Sequence, residues 1–380
     1  MRINFLGRVV DEPEIRAGFI GCGSHGFRNI FPCFQFTPVN LIATCDLDLA
    51  RAQAFAKKFG AERRYTDFRE MLAKEKLDAV FIVLGADKSG RPIYPKIAAE
   101  CLRAGVNVFI EKPPAATCAD VELMRAAAEA SGKFVMCGLK KMFVPAYRKA
   151  KELTNEPDFG QVNLALLERN ERMPSQEEFD AFMHRGEAGN VAHFLDHLCH
   201  PASALVMLMG MPSALYYDRS ANGSAMITFN FPGGALASLS INCSGTTNGS
   251  MERVMLVGDK GRQIVVENSL RVWYHRNAPK PAGQGYGSTP DFFCGKPGET
   301  SAYWEPEFSL GQLYSKGLFL LGFYDEVNEF ARAILERRQP KLGTIDHMWQ
   351  ITRIFEAVAQ GPRKRVELEP QPQPTAVAHA

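Results

Sequence analysis

The 380-residue sequence lacks long apolar runs, a strong net charge and any signal-peptide pattern. No apolar run approaches the roughly 20 residues that a membrane-spanning helix needs. The formal net charge of +2 gives no general attraction to nucleic acid or to a membrane surface, so neither partner is predicted. Residues 1–8 lack the basic, apolar and small-residue order of a signal peptide, and they contain no twin-arginine pair.

Paired cysteine motifs are also missing. The nine cysteines show no Cys-x-x-Cys spacing, and an odd number cannot all pair within one chain. They are therefore predicted to be buried or free thiols in a reducing compartment, which favours a cytoplasmic protein. The length exceeds one compact core, so we expect two domains.

The most informative motif is Gly-x-Gly-x-x-Gly, formed by Gly21, Gly23 and Gly26 at the end of an apolar run. A helix-length segment and a second apolar run follow, and that run ends on Asp46. This order is typical of a dinucleotide-binding unit. The three glycines permit a tight turn, the approach of a pyrophosphate and close packing of the helix on the sheet, in that order. The pyrophosphate is expected at the helix N-terminus, with Asp46 accepting hydrogen bonds from a ribose.

Nearby residues bear on the choice of cofactor. A carboxylate at Asp46 would repel the 2′-phosphate of NADP, so NAD is favoured, while Arg51 keeps NADP as the less favoured alternative. His25, within the glycine loop, either touches the cofactor or lies exposed in the turn.

Strand-like and helix-like segments alternate up to about residue 141, which predicts a parallel, doubly wound sheet. Strands are predicted at 17–21, 41–45, 79–84, 107–110 and 134–137, and helices at 48–59, 68–73, 94–104 and 119–131. Residues 1–14 are expected to form an extra strand or a loose arm. Residues 1–141 are thus the predicted Rossmann dinucleotide-binding domain.

The pattern after residue 141 predicts a mostly antiparallel sheet, because strand-like segments follow one another with Gly or Asn turns between them. Strands are predicted at 160–169, 213–218, 225–231, 235–244, 252–258, 263–267 and 269–274, and helices at 145–153, 190–209, 323–338 and 345–359. We predict a substrate-binding and oligomerisation domain at 142–368, with a long loop at 277–306, and a disordered tail at 369–380.

Lys112 follows a predicted strand within Glu111-Lys112-Pro113-Pro114. Ligands bind at the carboxyl ends of parallel strands in such folds. A lysine there can hold a substrate hydroxyl and favour its deprotonation as hydride leaves the carbon. The alternative, a surface lysine at a strand end, fits the spacing equally well.

A second constellation is His193-Phe-Leu-Asp196-His197-Leu-Cys-His200-Pro201. On a helix, residues four apart share a face, which pairs His193 with His197 and Asp196 with His200. A carboxylate beside an imidazole raises its basicity and orients it, which suits proton transfer from an alcohol. Pro201 argues against a regular helix at this point.

Other interpretations of these histidines stay open. A zinc site of His193, His197 and His200 is conceivable, but no Cys pair or His-Glu-x-x-His pattern accompanies it, so no metal is predicted. One or two of the histidines, His193 above all, could instead satisfy hydrogen bonds in the core. The polar cluster 168–172 could meet a polar substrate or be a solvated strand end.

Taken in order, these residues resemble the Gfo/Idh/MocA family, the group of glucose–fructose oxidoreductase and inositol dehydrogenase. The resemblance spans about residues 15–359 and rests on the glycine motif, Asp46, Glu111-Lys112-Pro113, Gly138 with Phe143-x-Pro145, Gly160-Gln-Val162 and Asp196-x-x-x-His200. It implies an α/β protein, with an N-terminal Rossmann domain and a C-terminal α+β domain built on a large, open, mostly antiparallel sheet. The outer face of that sheet would form homodimer or homotetramer contacts.

The resemblance also implies roles for individual residues. Lys112 would bind and polarise a substrate hydroxyl, and His200 would act as general base or acid. Asp196 would orient His200 or bind a substrate hydroxyl; this pair is preferred over His193/His197 because the distance to Gly210 matches the family's spacing. The predicted NAD contacts are Gly21, Gly23, Ser24, His25, Gly26, Asp46, Leu84, Glu111 and Lys112. The predicted substrate contacts are Lys112, Arg169, Asp196, His197 and His200.

The features together predict an NAD-dependent dehydrogenase acting on a secondary alcohol of a sugar, cyclitol or sugar derivative. Two alternatives stay open. One is a redox-neutral enzyme that keeps NAD tightly bound and oxidises its substrate only transiently, as in glycoside cleavage, epimerisation or internal oxidoreduction. The other is a non-enzymatic, cofactor-binding regulator.

Overall fold

Two large β-sheets organise the chain. The computed structural model describes residues 2–3, 9–245, 252–276, 301–306 and 316–368. The chain begins with a short antiparallel pair, β1 (Arg2–Ile3) and β2 (Val9–Val10), which is separate from both large sheets. The predicted extra strand or arm at residues 1–14 is therefore a small pair of its own and extends neither sheet.

The first large sheet has six strands, all parallel. Its strands are β3 (Ile15–Ile20), β4 (Val39–Cys45), β5 (Arg63–Tyr65), β6 (Ala79–Ile82), β7 (Asn107–Glu111) and β8 (Val135–Gly138). Its helices are α1 (Leu49–Phe59), α2 (Phe68–Lys74), α3 (Tyr94–Arg103) and α4 (Cys118–Ser131). The spatial order β5-β4-β3-β6-β7-β8 is the order of a dinucleotide-binding sheet, which confirms the predicted Rossmann fold.

The first connection differs from the single helix that the sequence suggested. After the glycine loop the backbone forms a π-helical turn, Gly26–Ile30, and then a 3-10 helix, Phe31–Gln35. Pro32 lies in the first turn of the second piece and has no backbone N–H for a bond to the preceding turn. The helix therefore changes its hydrogen-bond pattern at this point.

The second sheet has nine strands, and only β9 and β12 pair in parallel. The helices that precede or follow β9 are α5 (Pro145–Thr154), α6 (Gln176–Asp180) and α7 (Gly189–Met209). Its strands are β9 (Val162–Arg169), β10 (Ala214–Arg219), β11 (Ala225–Asn230), β12 (Leu236–Ile241), β13 (Glu252–Gly258), β14 (Arg262–Glu267), β15 (Arg271–Arg276), β16 (Ser301–Trp304) and β17 (Val366–Glu367). Burial alternates along β11, β12 and β13, as expected for a sheet that packs on one face. The predicted mostly antiparallel sheet is confirmed.

One expectation about this half was wrong. Residues 301–304 of the predicted loop form the edge strand β16: Tyr303 pairs with Trp273 of β15, and their rings lie 4.6 Å apart. The rest of that prediction, at 277–300, and the predicted tail at 369–380 lie outside the described residues. The predicted helix at 190–209 is confirmed by α7, which continues past Pro201 although this proline argued against a regular helix there. Its buried face packs against α10 (Ile345–Ala359) and β9, and this burial outweighs the one backbone bond that proline removes.

The helices near the C-terminal end return to the parallel sheet. α8 (Lys316–Leu320) precedes α9 (Phe323–Leu335), whose Phe330 ring lies 5.2 Å from the ring of Phe81 and 5.6 Å from that of Phe109. Helix α10 contacts both α4 and α7. These helices therefore connect the part of the chain with the parallel sheet to the part with the nine-stranded sheet. The domain limit at 141/142 stays a prediction.

Two simple properties of the described residues agree with the composition. None of the helices there has the length and apolarity needed to cross a membrane. The eight cysteines within the described part of the chain are all unpaired.

Candidate active site

The glycine loop has the geometry that a dinucleotide requires. Gly21 adopts φ +97°, and a Cβ there would lie 2.2 Å from the carbonyl oxygen of Val83. A Cβ on Gly23 would meet no atom within 4 Å, so the space beside its backbone is open. At Gly26 a Cβ would lie 3.2 Å from the Phe19 ring. A tight turn, an open approach and close packing thus occur in the predicted order, and the open side of Gly23 fits a pyrophosphate.

The acid after β4 faces the same loop. Asp46 Oδ2 accepts a hydrogen bond from the backbone N–H of Cys22 at 2.8 Å, and its Oδ1 accepts one from that of Asp48 at 3.0 Å. The carboxylate is thereby held beside the glycine turn, where a ribose is bound in this fold. Asp48 has a different role, because its side chain caps the N-terminus of α1.

The remaining predicted cofactor contacts surround the loop. Ser24 is exposed at the start of the helical segment, and Leu84 lies opposite Gly21. His25 is not simply an exposed turn residue: its Nε2 lies 3.1 Å from Oε1 of Glu111, a carboxylate only 4% exposed. The buried end of β7 and the glycine loop therefore meet through this pair.

Lys112 projects from the carboxyl end of β7 toward α7. Its Nζ lies 2.6 Å from Oδ1 of Asp196, and the two side chains are 17% and 33% exposed. Burial acts to lower the pKa of Lys112, but the adjacent Asp196 carboxylate outweighs it and holds the pKa above its ordinary value. Lys112 is therefore a charged ammonium group, able to donate hydrogen bonds but not to accept a proton.

His200 lies one helical turn beyond Asp196, on the same face of α7. Burial and the neighbouring cations, Lys140 foremost, lower its pKa well below the ordinary histidine value. The imidazole is therefore neutral at pH 7 and able to accept a proton.

The expected orientation of His200 by Asp196 is not what the structure has. Within the described residues, no Asp196 oxygen lies within ion-pair distance of the His200 ring; instead Oδ1 bonds Lys112 and Oδ2 lies 3.8 Å from Nε2 of His197. The ammonium group attracts the carboxylate toward β7 and away from the next turn of the helix. The other predicted role of Asp196, binding a substrate hydroxyl, stays a prediction.

Arg169, at the end of β9, is held by protein atoms. Its Nη1 donates to Oε2 of Glu252 at 2.7 Å, and Oε1 of the same carboxylate accepts from Lys141 at 2.6 Å. Burial acts to raise the pKa of Glu252, but Lys141 and the hydrogen bonds lower it to about 2. Arg169 as a substrate contact therefore stays a prediction, with its guanidinium already engaged in this buried network.

The alternative histidine pair meets a different carboxylate. His193 and His197 lie with their ring centroids 4.0 Å apart, and both face Glu171, which follows β9. His200 is outside this group, since its ring centroid is 6.4 Å from that of His197. The zinc arrangement of three histidines considered from the sequence is therefore absent from the described residues.

Two ionisable residues at this edge of the parallel sheet, one half-buried and one buried, were missed. Lys140, just past β8, lies with Nζ 5.0 Å from the centre of the Phe323 ring, and burial lowers its pKa. Glu326 of α9 is fully buried, and neither carboxylate oxygen has a hydrogen-bond partner among the described residues. Burial, and then the Glu111 charge, raise its pKa well above the ordinary glutamate value. The position of Lys140 after a parallel strand was a usable signal, whereas nothing local marked Glu326.

Comparison with known proteins gives matches along most of the chain. A model described as "Oxidoreductase family, NAD-binding Rossmann fold" (GFO_IDH_MocA) matches residues 15–139, and a model of the GFO/IDH/MocA C-terminal domain matches residues 147–264.

Similar proteins include dehydrogenases. The chain is 24% identical over 260 residues to an "uncharacterized oxidoreductase YrbE" of Bacillus subtilis, covering 65% of this chain and 72% of that protein. It is 27% identical over 150 residues to inositol 2-dehydrogenase of Salmonella typhimurium, covering 39% and 43%. This match spans less than half of the inositol enzyme's length. A dehydrogenase structure from Chromobacterium violaceum superposes with a TM-score of 0.73 at 21% identity, covering 92% and 95%, which shows the shared fold.

Proposed function

We propose that this chain, which belongs to the GFO/IDH/MocA oxidoreductase family, is an NAD-dependent dehydrogenase. It would transfer hydride at a secondary alcohol carbon of a sugar, cyclitol or sugar derivative. The bound nicotinamide supplies the hydride acceptor in the oxidative direction. The observation that carries the proposal is the contact of Lys112 with Asp196. It places a cation from the cofactor edge of the parallel sheet against the helix that carries His200.

Lys112 would position the reacting hydroxyl. As an ammonium group it donates hydrogen bonds to the alcohol oxygen and stabilises the negative charge that develops there as the hydride leaves. Asp196 holds the ammonium in place and can accept a hydrogen bond from a second hydroxyl through its other oxygen. A polyol offers both hydroxyls on adjacent carbons.

His200 would take up the proton. In the oxidative direction the neutral imidazole would accept the proton of the alcohol O–H while the carbon gives up its hydride to the acceptor that bound NAD would supply, so that a carbonyl is left. The neighbouring cations that lower its pKa also favour rapid loss of that proton afterwards. In the reductive direction the same group, protonated, returns the proton.

Asp46 would select NAD over NADP. Its carboxylate is fixed beside the glycine turn by two backbone N–H groups, and a 2′-phosphate placed there would meet a like charge. Arg51, the residue on which the NADP alternative rests, is exposed on α1.

The chain would assemble as a homodimer or homotetramer through the outer face of the nine-stranded sheet. One row of paired residues crosses that face in register: Tyr216, Thr228, Ser238, Leu166, Met255, Val265, Trp273 and Tyr303. Six of its eight members are apolar or aromatic. Five of these lie on the five strands from β9 to β16, and the sixth, Tyr216, lies on β10. Tyr216 and Tyr303 are exposed at the two ends of the row, Leu166, Met255 and Trp273 are partly exposed, and Val265 is buried. A partly exposed apolar row of this kind fits a protein–protein contact. The unpaired cysteines support the prediction of a reducing, cytoplasmic location.

The test is turnover by the purified protein. NAD and a panel of inositols, sugars, sugar acids and sugar nucleotides are mixed with the protein, and the absorbance of reduced nicotinamide and the consumption of substrate are followed together. Reduced NAD formed in proportion to product supports the proposal. Substrate consumed without net reduced NAD would indicate the redox-neutral alternative. No reaction across the panel, with NAD binding intact, would contradict the proposed chemistry.

A further inference from the structure

Three metal-binding side chains converge beside the proposed substrate site, and the proposed function does not use them as a group. They are Glu171, in the segment after β9, and His193 and His197, one turn apart on α7. One donor atom from each lies within 4.8 Å of the other two. Oε2 of Glu171 contacts Nδ1 of His197, and Oε1 lies 3.5 Å from Nδ1 of His193.

Hydrogen bonding accounts for part of this cluster: Oε1 of Glu171 accepts from the backbone N–H of Arg172 at 2.9 Å. Burial acts to raise the pKa of Glu171, but its contact with His197 helps to lower it. Nδ1 of His197 is buried and has no hydrogen bond of normal geometry within the described part of the chain, although the Glu171 carboxylate is in direct contact. The rings of His193 and His197, tilted by 33° to one another, turn the same nitrogen, Nδ1, toward the same carboxylate. An ion that replaced the direct contact between Glu171 and His197 would meet all three donor groups.

A second carboxylate lies near the far side of the His197 ring. Nε2 of His197 lies 3.8 Å from Oδ2 of Asp196, which is longer than a hydrogen bond. A small approach would give His197 the outer carboxylate contact that fixes the tautomer of metal-bound histidines and strengthens the near nitrogen as a ligand. Asp196 is itself anchored by Lys112, which holds this carboxylate in place.

We propose that Glu171, His193 and His197 bind one divalent transition-metal ion, with Zn²⁺ as the reference ion. Two imidazoles and one carboxylate are a donor set that Zn²⁺ uses in proteins, and three protein ligands leave a fourth position for water or a ligand oxygen. His193, 62% exposed, keeps the site open to solvent. The site lies one residue along α7 from Asp196, at the rim of the proposed substrate site. It is independent of hydride transfer, which needs no metal.

The test uses full-length protein without an affinity tag, stripped with a chelator. Titration with Zn²⁺ by calorimetry, with metal content after gel filtration as a second measurement, should give one equivalent per chain. Co²⁺ substitution should give the visible spectrum of a nitrogen- and oxygen-bound ion, without the intense near-ultraviolet absorption of a cobalt–thiolate bond. This spectrum separates the proposed site from binding by the free cysteines.

Variants assign the ligands. His193→Ala and Glu171→Gln should each weaken Zn²⁺ binding by about 100-fold or more, since each removes one of three ligands, and Asp196→Asn by about tenfold through the outer contact. His184→Ala is the matched control, because His184 is another exposed histidine on a neighbouring helical turn. Its binding should equal that of the wild type. Less than about 0.1 equivalent of Zn²⁺ on the wild-type protein would overturn the proposal, whether or not the variants fold. Equal binding by the His193→Ala and His184→Ala proteins would overturn it too. Neither result would bear on hydride transfer.

Discussion

The ammonium nitrogen of Lys112 lies 2.6 Å from Oδ1 of Asp196, 84 residues further along the chain. One residue ends a strand of the parallel sheet and the other lies in a helix that packs against the second sheet. The ion pair therefore fixes the position of α7, which carries the proposed substrate residues, relative to the strand end beside the glycine loop. Its desolvation is partial, so its contribution to binding geometry matters more than its contribution to stability.

Replacing Lys112 with alanine should abolish most turnover while leaving NAD binding within about twofold. The change removes the charge that stabilises the developing oxyanion, an effect of about 10²- to 10³-fold on kcat. Steady-state kinetics and NAD titration by fluorescence measure the two quantities. Lys149→Ala, which breaks a surface ion pair with Glu152, is the control and should behave as the wild type. Full activity in the Lys112→Ala protein would remove Lys112 from the mechanism.

His200→Asn should lower kcat by about 10²- to 10⁴-fold, the usual contribution of a general base. In the wild type, burial and the charges of Lys140, Lys141, Lys112 and Arg169 lower the pKa of His200. The imidazole is thus neutral above about pH 6.5, and kcat/KM for oxidation should begin to fall only below that pH. The pH–rate profile checks this directly. An inflection above pH 6.5 that disappears in the Asn variant would mean that the pKa is raised instead.

Asp46→Asn should reduce the preference for NAD over NADP by about 10- to 100-fold, because a like-charge contact with a 2′-phosphate is lost. Asparagine keeps an oxygen that can accept the hydrogen bond from the Cys22 N–H. The dissociation constants of both dinucleotides give the ratio. Asp48→Asn is a matched control, since asparagine caps α1 as well as aspartate does. A ratio that changes as much in the control would locate the selectivity elsewhere.

Glu326→Gln should stabilise the protein at pH 8 and have little effect at pH 5. Burial raises the folded-state pKa of Glu326, so between its unfolded and folded pKa values only the unfolded state releases the proton. The free energy of unfolding therefore falls as pH rises between these two pKa values, by up to about 1.4 kcal/mol per pH unit. Glutamine has no proton to release there, so the variant does not lose this stability. Urea unfolding at several pH values measures the difference.

Glu329→Gln, three residues along the same helix, should have the opposite sign. Burial acts to raise the pKa of Glu329, but its hydrogen bonds with Arg338, at 2.7 and 3.0 Å, lower it. Its charge therefore stabilises the folded state at neutral pH, and glutamine should be destabilising there. Two variants that shift stability in the same direction at pH 8 would contradict the assigned pKa of Glu326.

Much of the fold could be predicted because its signals are local. The glycine spacing, the β-branched runs and the glycines after the helices place most elements within a few residues of their observed limits. The misses were elements defined by partners. β5, with the sequence Arg-Arg-Tyr, looks like a charged loop and is a strand only because β4 offers it a free edge. β16, within the predicted loop, is likewise a strand through its pairing with β15.

The candidate site also has one part that local sequence signals predict and another that depends on contacts between distant residues. The sequence by itself determined the cofactor half, since the glycine loop and Asp46 are close in the chain and their turn chemistry admits few other folds. Only the tertiary structure decided that Asp196 pairs with Lys112 instead of His200 and that His193 and His197 face Glu171. It also decided that Glu326 is buried with no hydrogen-bond partner among the described residues. Those contacts join residues from separate strands and helices. Their choice of partner depends on distances and desolvation that exist only once the two sheets and the helices between them have packed.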